Sequence, residues 1–174
     1  HFENLGLYEM VRRRCRKILV VDATADPAFE YGDLQDAMRK IRIDLGISVE
    51  FQQGSFDRRR PFVVGRICYG DVDGKVKNGV ICYLKPILLG GEPLDVQRYA
   101  ALSRKSDKEA CFPHQTTADQ FFDEAQFESY RMLGHFMTTK VFPDSEWPRR
   151  SGAAAAEAAS VPGETSTNIV TKPG

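Results

Sequence analysis

No run of apolar residues in this sequence approaches the roughly 18 that a membrane-spanning helix needs, so no such span is expected in it. An excess of charge of either sign is also missing. Lysine and arginine together number 24 and aspartate and glutamate 24, which argues against a general nucleic-acid binder, because such proteins carry a strongly basic balance. Cysteine is sparse. Cys15, Cys68, Cys82 and Cys111 lie far apart and form no C-x-x-C pair, which supports neither a zinc site nor a redox motif. They read instead as buried free thiols in a reducing compartment. There is no G-x-S-x-G elbow, no P-loop, no H-E-x-x-H and no glycine-rich dinucleotide fingerprint. The "DVDG" at residues 71–74 has the start of a calcium loop, but the later ligands do not follow at EF-hand spacing, so it reads as a turn. No cofactor and no metal are expected.

What is present is enough to build a core: 174 residues, 42% hydrophobic and 10% aromatic, suit one domain. In the opening stretch, "HFENLGLYEMVRRRCRKILVVDA", Asn4 has the chemistry of a helix N-cap. Leu7, Val11 and Cys15 then recur every four residues on one helical face. Arg12, Arg13, Arg14, Arg16 and Lys17 crowd the end of that helix, where positive charge complements the dipole; the same cluster is a candidate for anionic lipid headgroups. Ile18 to Val21 is apolar on both faces and β-branched, as a central parallel strand covered by helices on both sides should be, with Asp22 at its carboxyl end. A second helix follows with Leu34, Ala37, Met38, Ile41 and Leu45 on one side, Asp33 as its cap and Gly46 just past its end. The strand "ISVEFQ" then completes a right-handed βαβ crossover.

Next, "PFVVGRICYG" and "GVICYLKP" predict an antiparallel hairpin across a long wet loop, which makes the sheet mixed. "EPLDVQRYAALSRKS" predicts a helix with Pro93 near its first turn, and "KEACFPHQ" a loop. In "TTADQFFDEAQFESYRMLGHFM", Thr117 and Gln120 have capping-box spacing, and Phe121, Phe122, Ala125, Met132, Leu133 and Phe136 predict one broad apolar face. The expected organisation is therefore a domain over residues 1–143 and a disordered Ala/Ser/Pro-rich tail over 144–174. Among single residues, Asp22 and Asp26 stand where ligands gather in open α/β sheets, although an aspartate there also caps loop amides. His114 and His135 read as structural. Arg58 to Arg60 read as a solvated loop that could touch anionic lipid.

Four of these segments, "HFENLGLYEMVRRRCRKILVVDA", "DLQDAMRKIRIDLGISVEF", "GVICYLKP" and "FPHQTTADQFFDEAQFESYRMLG", together and in this order resemble the C-terminal part of bacterial patatin-like phospholipases. The likeness runs from His1 to about Phe142. It implies a three-layer α/β/α fold with a mixed sheet, of which this chain is the C-terminal portion. It also implies lipid acyl hydrolysis by a serine in a G-x-S-x-G elbow, activated by an aspartate of a D-G-G or D-G-A motif without a histidine. Such a dyad needs the carboxylate within hydrogen-bond reach of the hydroxyl and preorganised N–H donors for the oxyanion.

By the same resemblance, His1 follows the aspartate motif and Asn4 begins the next helix, with His1 and Phe2 at the mouth of the site. The elbow, the oxyanion loop and the dyad aspartate map onto no residue here and are expected upstream, so the chain alone is expected to be inactive. The implied partners are the upstream part of the same hydrolase domain and a lipid or membrane surface, which Arg12, Arg13 and Arg16 could engage. Nucleic acid is not among them, and self-association through an exposed sheet edge is expected. The implied location is cytoplasmic or membrane-associated, in a bacterium. Two other readings stay open on the residues alone: a non-enzymatic membrane- or protein-interaction module, and an acyltransferase on a related fold.

Overall fold

The computed structural model describes residues 2–106, 111–116, 118 and 120–142. His1, Thr117 and the expected tail therefore lie outside the described residues. Among the described residues nine elements follow one another: α1 (Leu7–Arg12), β1 (Lys17–Val21), α2 (Gly32–Leu45), β2 (Val49–Phe51), β3 (Phe62–Ile67), α3 (Gly70–Asp73), β4 (Gly79–Leu84), α4 (Leu94–Ser106) and α5 (Glu124–Val141). The four strands form one mixed sheet in the order β1-β4-β3-β2. β1 runs parallel to β4, while β3 is antiparallel to both β4 and β2.

β4 is the strand that organises the core. Its side chains alternate between two clusters: Ile81 and Tyr83 join Leu7, Val11, Leu34, Ala37 and Ile41 of α1 and α2, whereas Cys82 and Leu84 join Val96, Ala100, Leu133, Met137 and Val141 of α4 and α5. Helices thus cover both faces of β4, which explains why "GVICYL" is continuously apolar. The chain is a mixed α/β protein, as the sequence predicts. The hairpin of β3 and β4 also forms as expected, with Val64 opposite Cys82, and its connection carries the short helix α3.

Several expectations are corrected. β1 is an edge strand among the described residues, not a central one. Ile18 and Val20 are buried, but Leu19 and Val21 are 43% and 56% exposed, because no described helix covers that side of β1. An apolar β-branched run looks the same in sequence whether its second face is covered by its own domain or left open. β1 and β2 also stand at opposite edges, so the β1–α2–β2 connection passes over two strands, β4 and β3, that come later in the chain.

The caps differ too. Glu3, with a longer carboxylate than the Asn4 amide, accepts the amides of Leu5 and Tyr8 (2.6 and 3.4 Å), and Gly6 in the left-handed region precedes α1. Asn4 is left to donate to Asp33 at 2.9 Å. Asp33 lies inside the first turn of α2, and Tyr31 occupies the cap position; Gly46 ends the helix as expected, with φ 68°.

α5 starts at Glu124, where the Asp123 carboxylate accepts the Gln126 amide at 2.7 Å. "DEAQ" has the same spacing as "TADQ", and a charged acceptor at the positive end of the dipole is the stronger cap. The start of α5 therefore leaves Phe121 and Phe122 outside the helix. Its buried face is Gln126, Ser129, Leu133, Met137 and Val141; of the expected face only Leu133 is fully buried.

Candidate functional site

β1 and β4 are parallel, so their carboxyl ends lie side by side, and each continues its ladder by one residue. The Asp22 amide donates to the Leu84 carbonyl and the Lys85 amide to the Pro61 carbonyl, both at 2.9 Å. Two opposite charges are therefore fixed by backbone at the same edge of the sheet. Both are buried, Asp22 at 1% and Lys85 at 2% exposure. The Lys85 Nζ stands 3.3 Å from Asp22 and 3.6 Å from Asp26, and donates to the Thr24 carbonyl at 3.4 Å.

The loop between β1 and α2 folds around this ammonium. The Asp22 carboxylate turns back to accept the Thr24 amide (3.0 Å) and hydroxyl (2.6 Å), as well as the Tyr83 hydroxyl. The Asp26 carboxylate accepts the amides of Glu30 and Tyr31 (2.8 and 2.9 Å). Phe29 and Tyr31 both take positive φ (57° and 56°), a conformation that bulky residues rarely hold without support from their surroundings. Here Asp26 and the rings supply that support. Tyr31 packs on Phe56 and Tyr83, and Phe29 lies edge-on to His114 with ring centroids 4.9 Å apart. Arg58 sits over Phe29 and donates to the Ala28 carbonyl.

The electrostatics follow from this packing. Burial pushes the Asp22 carboxyl up, but the hydrogen bonds from Thr24 and Tyr83 and the Lys85 charge outweigh it, holding the group below the ordinary carboxylate value. The Tyr83 hydroxyl is pushed up by burial and by the carboxylate it serves, so it remains a donor. The His114 imidazole is pushed down by burial and by Lys85. The Thr24 hydroxyl and Asp22 have the contact of a nucleophile and its base. However, a carboxylate already saturated by three hydrogen bonds and an ammonium is a poor proton acceptor, so this pair cannot activate the hydroxyl.

Phe2 and Asn4 are tied to α2. Lys40 lies over the Phe2 ring at 4.7 Å and donates to the Phe2 carbonyl, Phe2 stacks edge-on to Tyr8, and Asn4 holds Asp33. Arg12 and Arg13 both engage Glu9, at 2.7 and 2.6 Å, and hold its carboxyl down at about 2. Arg14 pairs with Asp73, and Arg16 is exposed. The basic stretch is thus partly neutralised within its own helix. No group of His, Cys, Asp and Glu among the described residues could hold a metal ion, and none of the described helices is long and apolar enough to cross a membrane.

Asp22 and Asp26 were legible as candidates. Lys85, Tyr83 and the burial of His114 were not, although a lysine closing an apolar strand, as in "GVICYLKP", is a signal when another strand ends in aspartate. A groove of about 480 Å³ between α2 and β2 is lined in part by Tyr31 and Phe56, whose rings pack on Tyr83. Compared with known proteins, the chain matches no family model, no curated protein and no solved structure.

Proposed function

We propose that this chain forms part of a serine acyl hydrolase domain of the patatin-like type, acting on fatty acyl esters, and that it supplies the rigid scaffold beside the reaction centre rather than the nucleophile. The observation that carries the reading is a convergence. Three of the four segments that resemble that family send their polar residues to one point: Asp22 from the first, Lys85 from "GVICYLKP" and His114 from "FPHQTTADQFFDEAQFESYRMLG". That point lies at the carboxyl ends of parallel strands, where open α/β sheets build their sites.

Under this reading the buried ion pair fixes the loop between β1 and α2, and the nucleophile, its aspartate and the oxyanion donors come from an accompanying part of the domain. The outer edge of β1, unpaired among the described residues, is where that part adds its strands, and the exposed Leu19 and Val21 face is where it adds cover; self-association of the isolated chain would use the same edge.

A fluorophosphonate probe tests the assignment. The product of the complete reading frame is expected to be labelled at a serine in G-x-S-x-G and to release fatty acid from an acyl ester, and the 174-residue chain to do neither. Labelling of the chain itself, or a reading frame with no such serine, would overturn the reading.

A further inference from the structure

His114 is 7% exposed, yet its Nδ1 has no hydrogen-bond partner among the described residues. Buried polar atoms are rarely left so, and this one sits in the most highly charged part of the interior. Lys85 faces the ring from the end of β4. Asp22, Asp26 and the Thr24 carbonyl face it from the β1–α2 loop. Phe29 of the same loop packs edge-on, and Arg58, from the loop between β2 and β3, lies over Phe29 at 5.2 Å. On the other side of the segment 111–116, Tyr99 of α4 and Tyr130 of α5 reach Gln115 through bonds of 3.4 and 3.3 Å. The segment is thus held at two points: Phe112 is buried between Tyr99 and Tyr130, and His114 is plugged into the carboxyl-end cluster.

We propose that His114 is a proton-sensitive latch: as neutral imidazole it seats residues 113–116 on the Asp22–Lys85 cluster, and on gaining a proton it leaves that seat and opens the cluster to water. A protonated ring must donate from both nitrogens, and among the described residues Nδ1 has nothing to donate to. The carboxylates that could compensate are already committed, Asp22 to Thr24, Tyr83 and Lys85, and Asp26 to Glu30, Tyr31 and Lys85. Imidazolium would also stand beside the Lys85 ammonium, out of water, and like charges in a dry site repel strongly. Besides the Thr24 carbonyl against the ring, this end of the segment is held by the His114 amide's bond to the Cys111 carbonyl at 2.8 Å, which lies within the segment, and by bonds at Gln115 that are long and uncharged.

The seated ring takes up a proton less readily than a free one, so the seated state is fully favoured above the ordinary imidazole value of 6.5 and loses that advantage as pH falls from there through the lower seated value.

The full chain contains three histidines, so proton NMR can follow His114 with His1 and His135 as internal references. Amide-exchange protection, corrected for the intrinsic rate, is read in parallel at pH 7.5 and 5.5. Protection at residues 114–116 and at Phe29 is expected to fall severalfold on acidification, up to about tenfold, the limit set by a free ring with an ordinary value of 6.5 read at pH 5.5. In His114→Gln, which carries no titrating group, protection should be the same at both pH values. Equal protection of the wild-type loop at both pH values, or the same acid loss in His114→Gln, overturns the latch. Should His114→Gln not fold, the wild-type ring decides. Titration only together with loss of protection supports the proposal, and titration at or above 6.5 in a loop that stays protected refutes it.

Discussion

Replacing Lys85 with methionine probes the centre of the fold directly. The substitution keeps the length and apolar stem of the side chain and removes only the ammonium, which stands 3.3 Å from Asp22 and 3.6 Å from Asp26. At an effective dielectric of 20, each contact has a gross attraction of about 5 kcal/mol, and recovering the lysine's desolvation penalty returns several kcal/mol of the sum. Asp22 nevertheless stays ionised, because the hydrogen bonds from Thr24 and Tyr83 hold its carboxyl down more than Lys85 does. The variant therefore contains a buried carboxylate without a counter-charge, the situation that costs about 3–5 kcal/mol in other buried pairs. The lower end applies here, about 3 kcal/mol, because Asp26 is partly solvated. For a domain of this size that lowers the midpoint of thermal unfolding by roughly 6–12 °C. Urea and thermal unfolding at pH 7, followed by circular dichroism, measure it. The double variant D22N/K85M should recover at least half of the loss, since no buried charge is then left at position 22. A K85M protein within about 1 kcal/mol of wild type, or a double variant no more stable than K85M, would refute the account of the cluster.

Tyr83→Phe removes one of the charged hydrogen bonds on Asp22; we expect a loss of about 1.5–3 kcal/mol at pH 7. The carboxyl then moves up towards its ordinary value, and because a depressed carboxyl stabilises only while it is ionised, acid unfolding monitored by circular dichroism should begin at a higher pH than in wild type. Gly65→Ala should cost about 1–3 kcal/mol, since a Cβ there would lie 2.6 Å from the Glu50 carbonyl oxygen and 2.7 Å from the Phe51 ring. Amide exchange should show the damage at Val49–Phe51, and unchanged protection there would count against the packing described. Asp123→Ala should cost about 1 kcal/mol and fray the first turn of α5, which helical NMR shifts would register; no change would mean that another residue caps the helix.

The elements were legible in the sequence wherever a local signal is strong. The alternation of Leu34, Ala37 and Ile41, Gly46 past the end of α2, and the paired β-rich runs of β3 and β4 depend on 3.6- and 2-residue periods and on glycine's freedom at positive φ, which neighbouring residues alone can specify. Caps were less legible because "ENLG" and "TADQFFDEAQ" each contain more than one group able to take the same amides. Asp22 and Asp26 could be singled out from their position after an apolar run, but not the purpose of their charge.

What the sequence determined by itself was the α/β class, the order of helices and strands, and the mixed sheet, all consequences of backbone stereochemistry and hydrophobic period. Tertiary structure alone decided that β4 rather than β1 is central, and that Lys85 would be drawn in between two aspartates while His114 closes over them. Sheet order depends on which strand edges pair over long separations, as β1 does with β4 more than 60 residues on. No local pattern carries that information, yet it determines which charged groups share a dry interior.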